Sequence, residues 1–303
     1  MANWLLVRLT QSSSWIGALI GIYVFTDLTP IQPADIQVVA TSGDKSSPRR
    51  SNSAQPSGGT PPDTASDSSK WTIRIGAGAL LVPDFAGAKT YRITPLPSVE
   101  VSYKRLATAS VSDGLNVALL RTGSFRAGPT LRYRFGQYER DARRDLRGLD
   151  DVSGAVEAGT TFIWARSGFG VRGYAGWDLG TGHKGGVAEL SAFATKAFRL
   201  GARRVIARVG PKVTFASARY FQSYYGVDAG QAAASGLTPY RPAGGLERVG
   251  IDGSITYPFA RRWAFTLVAG AAELAGQAGR SPRIRVRGSK QQAILGSFLT
   301  YSF

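Results

Sequence analysis

Cysteine is missing from this 303-residue chain, which also contains only one histidine and one methionine. Without cysteine the chain can form no disulfide bond, no cysteine-ligated zinc site and no thiol nucleophile. Long apolar runs are missing as well, since no stretch reaches the roughly eighteen residues that a transmembrane helix needs. The sequence therefore argues against a helical membrane protein and against every class of site that is built on thiols.

The single histidine, His183, offers little basis for catalysis or metal binding. It lies in the glycine-rich stretch 182–186, where a serine nucleophile could approach it only through tertiary contact. A loop residue that closes a hairpin is the simpler interpretation. Aspartates in the segment 140–151 could hold calcium, but arginines alternate with them and favour a salt-bridged loop. We expect no enzymatic activity, no cofactor and no metal ion.

The C-terminal residues alternate in character with a period of two. Phe303, Tyr301 and Leu299 lie on one side of the pattern, while Ser302 and Thr300 lie on the other. This period indicates a strand with two unlike faces. A terminal Phe on a strand of bilayer-spanning length is typical of the last strand of an outer-membrane β-barrel, with a soluble β-sandwich as the alternative. In such barrels the terminal aromatic residues, here Tyr301 and Phe303, act as the insertion signal.

The same alternation recurs from residue 71 onward and predicts an all-β fold. In the segment 125–136, Leu131 and Tyr133 share an apolar face, and Arg126, Arg132 and Arg134 share the other. An apolar exterior and a wet lumen explain both faces. We predict a closed antiparallel transmembrane β-barrel of twelve strands, with ten as the alternative because two strands are short. The predicted strands are 72–82, 94–104, 106–111, 115–121, 125–136, 152–165, 169–179, 187–199, 203–218, 245–259, 263–275 and 290–303.

Links between the predicted strands are alternately short and long. Residues 166–168, 201–203 and 260–262 form short links, whereas residues 137–151, 181–186, 220–244 and 276–290 form long ones. In this class of barrel the short turns face the periplasm and the long loops face outward.

Ahead of the barrel, two further regions are expected. Residues 1–40 resemble an export signal region, with Arg8 before an apolar stretch at 15–25. Residues 41–70 are rich in Ser, Pro and Gly, a composition that predicts a disordered linker. We accordingly divide the chain into 1–40, 41–70 and the barrel, 71–303, and expect it in the outer membrane of a Gram-negative cell, in contact with lipid and lipopolysaccharide.

The formal net charge of +17 invites a nucleic-acid interpretation, but the basic residues do not form one patch. The strand register instead places many of them in the lumen, so we predict no nucleic-acid partner. The predicted lumen-facing bases are Arg74, Lys104, Arg126, Arg132, Arg134, Arg172, Arg204, Arg208, Lys212 and Arg248. The acids predicted inside are Glu100, Glu157, Asp178 and Asp252. This imbalance predicts either a hydrated, anion-preferring pore or a plugged lumen whose charges pair with loop carboxylates.

Several motifs along the barrel together resemble one family. They include the Gly-Ala-Gly repeat at 76–78, the Gly-His-Lys-Gly loop at 182–185, the aromatic block at 218–227 and the Tyr-Ser-Phe ending. In their order they are similar to the MipA/OmpV family, named for the MltA-interacting protein. The resemblance implies an outer-membrane barrel that acts as a scaffold between a lytic murein transglycosylase and a murein synthase. The aromatic residues Tyr220, Phe221, Tyr224 and Tyr225 could form a ligand platform, but a loop folded over the barrel mouth is the favoured interpretation.

Overall fold

The structure is a computed structural model and describes residues 70–104 and 106–303. The expected export signal region, 1–40, and the linker up to residue 69 lie outside the described residues. Thirteen strands hydrogen-bond side by side in chain order. Their bounds are Trp71–Pro83 (β1), Tyr91–Tyr103 (β2), Ala107–Ser110 (β3), Gly114–Val117 (β4), Leu120–Arg121 (β5), Phe125–Arg134 (β6), Ala155–Arg166 (β7), Phe169–Asp178 (β8), Gly186–Leu200 (β9), Arg203–Ala216 (β10), Gly245–Tyr257 (β11), Trp263–Leu274 (β12) and Gln291–Ser302 (β13).

The sheet closes into an antiparallel barrel of twelve strands, as predicted. β4 and β5 are two pieces of one strand, because both pair with β6 and only two residues separate them. The chain ends close the barrel on the other side, where Arg74 of β1 lies opposite Ser302 of β13 and Leu81 lies opposite Leu295. The alternative of ten strands is wrong, because the short β3 and β4 do pair with their neighbours.

Long and short connections separate to opposite ends of the barrel. One end, called here the turn end, carries the short links that precede β3, β6, β8, β10 and β12. The other end, called the loop end, carries the long connections and all the helices. These helices are a 3₁₀ turn at Glu139–Asp141, α1 (Arg143–Leu146), α2 (Ala218–Tyr225), α3 (Ala229–Ser235), α4 (Gly276–Arg280) and a π-helical turn at Arg283–Arg287. Among the described residues, none of these helices is long and apolar enough to cross a bilayer.

Exposed aromatic side chains form two levels on the outer surface. At the turn end Trp71 packs on Tyr103 with ring centroids 4.6 Å apart, and Trp263 packs on Tyr301 at 5.0 Å. The level near the loop end contains Tyr91, Tyr133 and Trp177, all exposed. Exposed Ile, Leu and Val side chains occupy the band between the two levels. This is the surface that a bilayer requires, with an apolar band flanked by aromatic girdles.

Some boundaries differ from those that the sequence predicted. β2 ends at Tyr103, so Lys104 lies in the following turn with φ +44° instead of inside a strand. β7 begins at Ala155, because residue 152 bridges back to Gln137 within the long loop. Pro211 keeps its place in β10, but the ladder to β9 skips residues 210 and 211. A proline cannot donate to a ladder, and the skipped step accommodates it.

Candidate functional site

The lumen toward the loop end is filled by side chains that carry charge. Its central carboxylate is Glu157 on β7, which has no solvent exposure. Glu157 accepts from Arg134 Nε at 2.6 Å and from the Tyr174 hydroxyl at 2.8 Å, and it lies 2.8 Å from His183 Nε2. These donors come from β6, β8 and the β8–β9 loop. Through these hydrogen bonds the buried carboxylate connects β6, β8 and the β8–β9 loop to β7.

A second carboxylate, Glu189 on β9, extends the same cluster across the lumen. Its oxygens lie 3.1 Å from Lys212 Nζ, 3.6 Å from Arg132 and 3.8 Å from Arg134. The guanidinium of Arg132 also stacks on Tyr174, 3.8 Å from the ring centroid. The cations of β6 and β10 therefore meet acids of β7 and β9, and the cross-section at this level is occupied by paired charge.

Helix α2 closes the barrel above this cluster. Its aromatic residues Tyr220, Phe221, Tyr224 and Tyr225 are all buried. Their spacing of one and four residues places them on one helical face, which explains why this segment forms an amphipathic helix. The ring of Tyr220 lies 4.9 Å from that of His183, edge to face. The favoured interpretation of the aromatic run, a loop folded over the mouth, matches this placement.

A third buried carboxylate anchors the helix to the wall. Glu247 of β11 accepts from the Tyr225 hydroxyl at 2.7 Å and from the Tyr220 hydroxyl at 3.2 Å, and Arg248 Nη2 donates to the same oxygen at 2.8 Å. Burial raises the pKa of both Tyr220 and Tyr225 well above the usual value. The two phenols therefore stay neutral donors over the physiological pH range.

Arg283 holds the C-terminal end of α2. Its Nη1 donates to the Tyr224 carbonyl at 3.1 Å, and Nη2 donates to Gln231 Oε1 at 3.3 Å. A cation at a helix C-terminus complements the helix dipole. Burial lowers the pKa of this guanidinium to about 10, so it remains charged at neutral pH. The β12–β13 connection thus holds α2 in place. We call α2, which is part of the β10–β11 connection, the lid.

The Gly-His-Lys-Gly loop fits closely beneath this lid. Asp178 accepts four backbone N–H groups of residues 180–184 and shapes the loop. A Cβ at Gly185 would meet the backbone N of Tyr220 at 2.5 Å, so only glycine lets the helix approach. His183 is a buried contact residue here, and the expected description of a loop residue closing a hairpin fits its position.

The predicted lumen bases divide into three groups. Arg132, Arg134, Lys212 and Arg248 are in the loop-end cluster. Arg74 pairs with Glu100 beside β13, and Arg126, Arg172 and Arg208 line a cavity of about 100 Å³ nearer the turn end, where Arg172 pairs with Asp113 at 2.8 Å. Lys104 and Arg204 are exposed at the turn end. The expectation that Lys104 lies within the lumen is wrong. Arg204 lies only at the rim of the lumen.

The predicted balance of ten bases against four acids is also wrong. Asp113, Glu189 and Glu247 are buried in addition to the acids expected inside. Glu189 could have been predicted from the sequence, because it alternates with the outward-facing residues of β9. Glu247 could not, because a register shift at Thr214 and Phe215 lets adjacent residues of β11 both turn inward. The lumen is close to neutral, which weakens the electrostatic argument for an anion pore.

The rim of the turn end has the opposite property, since its charged side chains are all basic. The segments at this end, 70–73, 101–104, 106–109, 118–128, 163–171, 195–206, 256–264 and 300–303, contain neither Asp nor Glu. The exposed bases at this end are Lys70, Lys104, Arg121, Arg166, Lys196, Arg199, Arg203, Arg204, Arg261 and Arg262. Exposed cations at one end of the barrel with no carboxylate among them create a positive surface potential. We call this ring the basic rim.

No group of three or more His, Cys, Asp or Glu side chains within the described part of the chain could hold a metal ion. The acidic loop 139–151 instead packs against α3, where Gln231 Nε2 donates to Asp150 at 2.9 Å. The described charges can therefore act in two ways. Paired charges inside the loop end hold the structure together, and exposed bases at the turn end create an electrostatic surface.

Comparison with solved structures returns other outer-membrane proteins at low similarity. An outer-membrane channel from Pseudomonas putida F1 is 12% identical with a TM-score of 0.37, covering 81% of this chain and all of that one. The toluene transporter TodX of P. putida is 8% identical, with a TM-score of 0.34, 78% of this chain and 90% of that one covered. Neisserial surface protein A is 8% identical, with a TM-score of 0.24 and coverages of 78% and 98%. Similarities at this level do not bear on function.

Comparison with curated protein sequences returns no match. A protein-family profile, by contrast, matches residues 75–303, which is the whole barrel apart from its first few residues, and its description reads "MltA-interacting protein MipA". The match covers well over half of the chain and includes the aromatic block of α2 and the Gly-His-Lys-Gly loop beneath it. The chain therefore belongs to the MipA family of outer-membrane-type β-barrels.

Proposed function

We propose that this barrel is a non-enzymatic scaffold of the outer membrane whose basic rim docks murein-remodelling enzymes in the periplasm. The observation that carries the proposal is the rim itself, which displays exposed Lys and Arg with no acidic side chain among them. The turn end of such a barrel faces the periplasm. Exposed arginine pairs well with carboxylates of a partner, and a one-sign surface speeds encounter with an acidic surface.

The family supplies the class of partner. The description of its profile names interaction with MltA, a murein transglycosylase, and the resemblance of the sequence to the family adds a murein synthase. Murein lies in the periplasm, so the rim of the turn end is the part of the barrel that such enzymes could reach.

The closed lumen supports a scaffold over a pore. Helix α2 covers the loop end, and the ion pairs of Glu157 and Glu189 fill the section below it. An ion crossing this section would have to break buried pairs, each costly to separate. An anion-preferring pore remains the second candidate, favoured by the cavity that Arg126, Arg172 and Arg208 line near the turn end.

The first test is crosslinking in intact cells with charge reversal of the rim. Arg203, Arg204, Arg261 and Arg262 are changed together to Glu, and a matched control changes Lys89, Arg144, Arg219 and Arg241, exposed bases of the loop end. Mass spectrometry of the crosslinked material should find murein enzymes with the native chain and the control, and lose them with the rim variant. Equal capture by the rim variant, or capture at the loop end, would overturn the proposal.

The second test is conductance of the purified barrel in planar bilayers. We expect no steady current from the native protein. A steady anion-selective current that falls when Arg126 and Arg172 are changed to Gln would establish the pore instead. Deleting residues 218–225 should then raise that current, because it removes the lid.

A further inference from the structure

The barrel wall is incomplete on one side. β3 and β4 are four residues long, and β3 pairs only with Glu100–Tyr103 of β2. On the other side β4 reaches β6 only at Leu131 and Thr130. Among residues 70–104 and 106–303, no strand pairs with the edge of β2 from Tyr91 to Ser98 that faces away from β1. We call the gap between this edge and the turn at 111–113 the seam.

The free edge of β2 lacks two of the donors that a further strand would use. In an antiparallel sheet the N–H and C=O of one residue point to the same neighbour, and successive residues alternate. Val99 uses its carbonyl to accept from Val111 N at 3.2 Å, so Val99 points toward the seam. Pro95 and Pro97 share its parity, and neither has an N–H. Prolines at these positions block edge-to-edge pairing.

The seam lies within the apolar band of the barrel. Tyr91, at its upper limit, belongs to the aromatic level near the loop end, and Tyr103 belongs to the level at the turn end. Between them the outward side chains on β2 are apolar, and Ile93 is 72% exposed. The seam is therefore open toward lipid, in the leaflet on the loop-end side.

Behind the seam part of the inner wall is apolar, whereas the wall of β6–β10 is charged. Inward side chains of β1, β2, β12 and β13 form one cluster, composed of Leu80, Val82, Leu96, Val268, Ile294 and Phe298. A cavity of about 40 Å³ leads to it from the seam. Its apolar side is formed by Leu96, Pro97, Val99, Val111 and Phe298, and its polar side by Ser98, Glu100, Ser110 and Ser112. An apolar molecule could thus pass its narrow end between β2 and the turn and contact Phe298.

We propose that the seam binds the acyl chain of a lipid from the leaflet on the loop-end side. Unpaired backbone N–H and C=O groups are costly in hydrocarbon, and Pro95 and Pro97 leave this edge with two N–H groups fewer than an ordinary edge strand. A strand from a second copy fits poorly, because Pro95 and Pro97 offer it no donors. A hydrocarbon chain needs none, and it can lie along the apolar side of the narrow cavity that leads to Phe298. The site is separate from the basic rim and does not depend on the scaffold function.

A phospholipid with a photoactivatable diazirine in its acyl chain tests this in bilayers containing the full barrel. After irradiation, mass spectrometry should locate adducts on inward-facing Leu96 and Phe298 as well as on outward residues such as Leu267. Phe193, inward-facing on β9 and remote from the seam, is the internal control and should carry none. Adducts only on outward residues, or equal labelling of Phe193, would overturn the proposal.

A blocking variant sharpens the result. Val99→Trp changes an outward side chain at the cavity mouth and should abolish the adducts on Leu96 and Phe298 while leaving those on Leu267. The matched control is Leu267→Trp, an outward change on β12 that should leave the inward adducts intact. Persistence of the inward adducts in Val99→Trp, or crosslinks that join two barrels through β2, would contradict an acyl-chain site.

Discussion

His183 Nε2 lies 2.8 Å from Glu157 Oε1 inside the barrel, in the charged cluster below α2. The backbone N–H of Gly185 donates to His183 Nδ1 at 3.1 Å, so the ring proton is on Nε2 and is directed at the carboxylate. Both side chains are buried, and the Ser223 hydroxyl of α2 donates to the His183 carbonyl. The pair ties the β8–β9 loop to β7.

Replacing His183 with Ala should weaken the fold without removing an activity. The change leaves one hydrogen bond to a buried carboxylate unmade, which costs about 1–3 kcal/mol. The midpoint temperature for the change in gel migration of the folded barrel should therefore fall. His183→Asn offers a smaller donor as a comparison and should lose less. Loss of a hydrolase activity in the Ala variant would show instead that the chain is an enzyme.

Glu157→Gln should destabilise the barrel more than any exposed acid does. It leaves Arg134 buried without its principal anion, and breaking a buried pair from one side costs about 3–5 kcal/mol. Urea unfolding in detergent or lipid measures the change. Glu273→Gln, an exposed acid on β12, is the matched control and should change the free energy of unfolding by less than about 0.5 kcal/mol. Similar values for the two variants would mean that the lumen is flooded and the pair is screened.

Alkaline titration should show late ionisation of the buried tyrosines of α2. The folded-state pKa of Tyr220 and Tyr225 is above the unfolded value of about 10, so their neutral forms add stability below that pH. This contribution is lost as pH rises toward the raised pKa values. Phenolate absorbance should show these two ionising late, together with unfolding of the lid. Tyr225→Phe removes one late step and one hydrogen bond to Glu247, and ordinary titration of every tyrosine would contradict the burial of α2.

Deletion of Phe303 should impair assembly. Its ring packs edge to face on Tyr301 at 4.9 Å, yet Phe303 is 67% exposed, so it adds little to the stability of the finished barrel. We expect less protein in the outer membrane and more precursor in the periplasm, while barrels that do insert unfold normally. The matched control, Ser302→Ala, keeps the terminal aromatic residue and should insert fully. Normal insertion of the truncated chain would place the signal elsewhere.

Alternation within single strands is enough to predict the all-β fold and the long loops, and it leaves the number of strands at twelve or ten. Period-two alternation is a local property, since each strand must offer one face to lipid and one to the lumen wherever its partners lie. Residues such as Arg132 and Arg134 could therefore be placed inside before any neighbour was known. The apolar and aromatic ending of β13 carried the same information.

The partners of those inward charges depend on how the strands and loops pack together. Glu247 turns inward because of a register shift between β10 and β11, which no single strand reveals. The lid depends on contacts between segments far apart in the chain, such as Arg283 with the Tyr224 carbonyl. The seam arises because β3 and β4 end before β2 and β6 do, a mismatch that exists only once the strands are paired. The charge balance of the lumen, the closure of its loop end and the gap in its wall each depend on how two segments pair. The alternation within one strand could therefore not predict them.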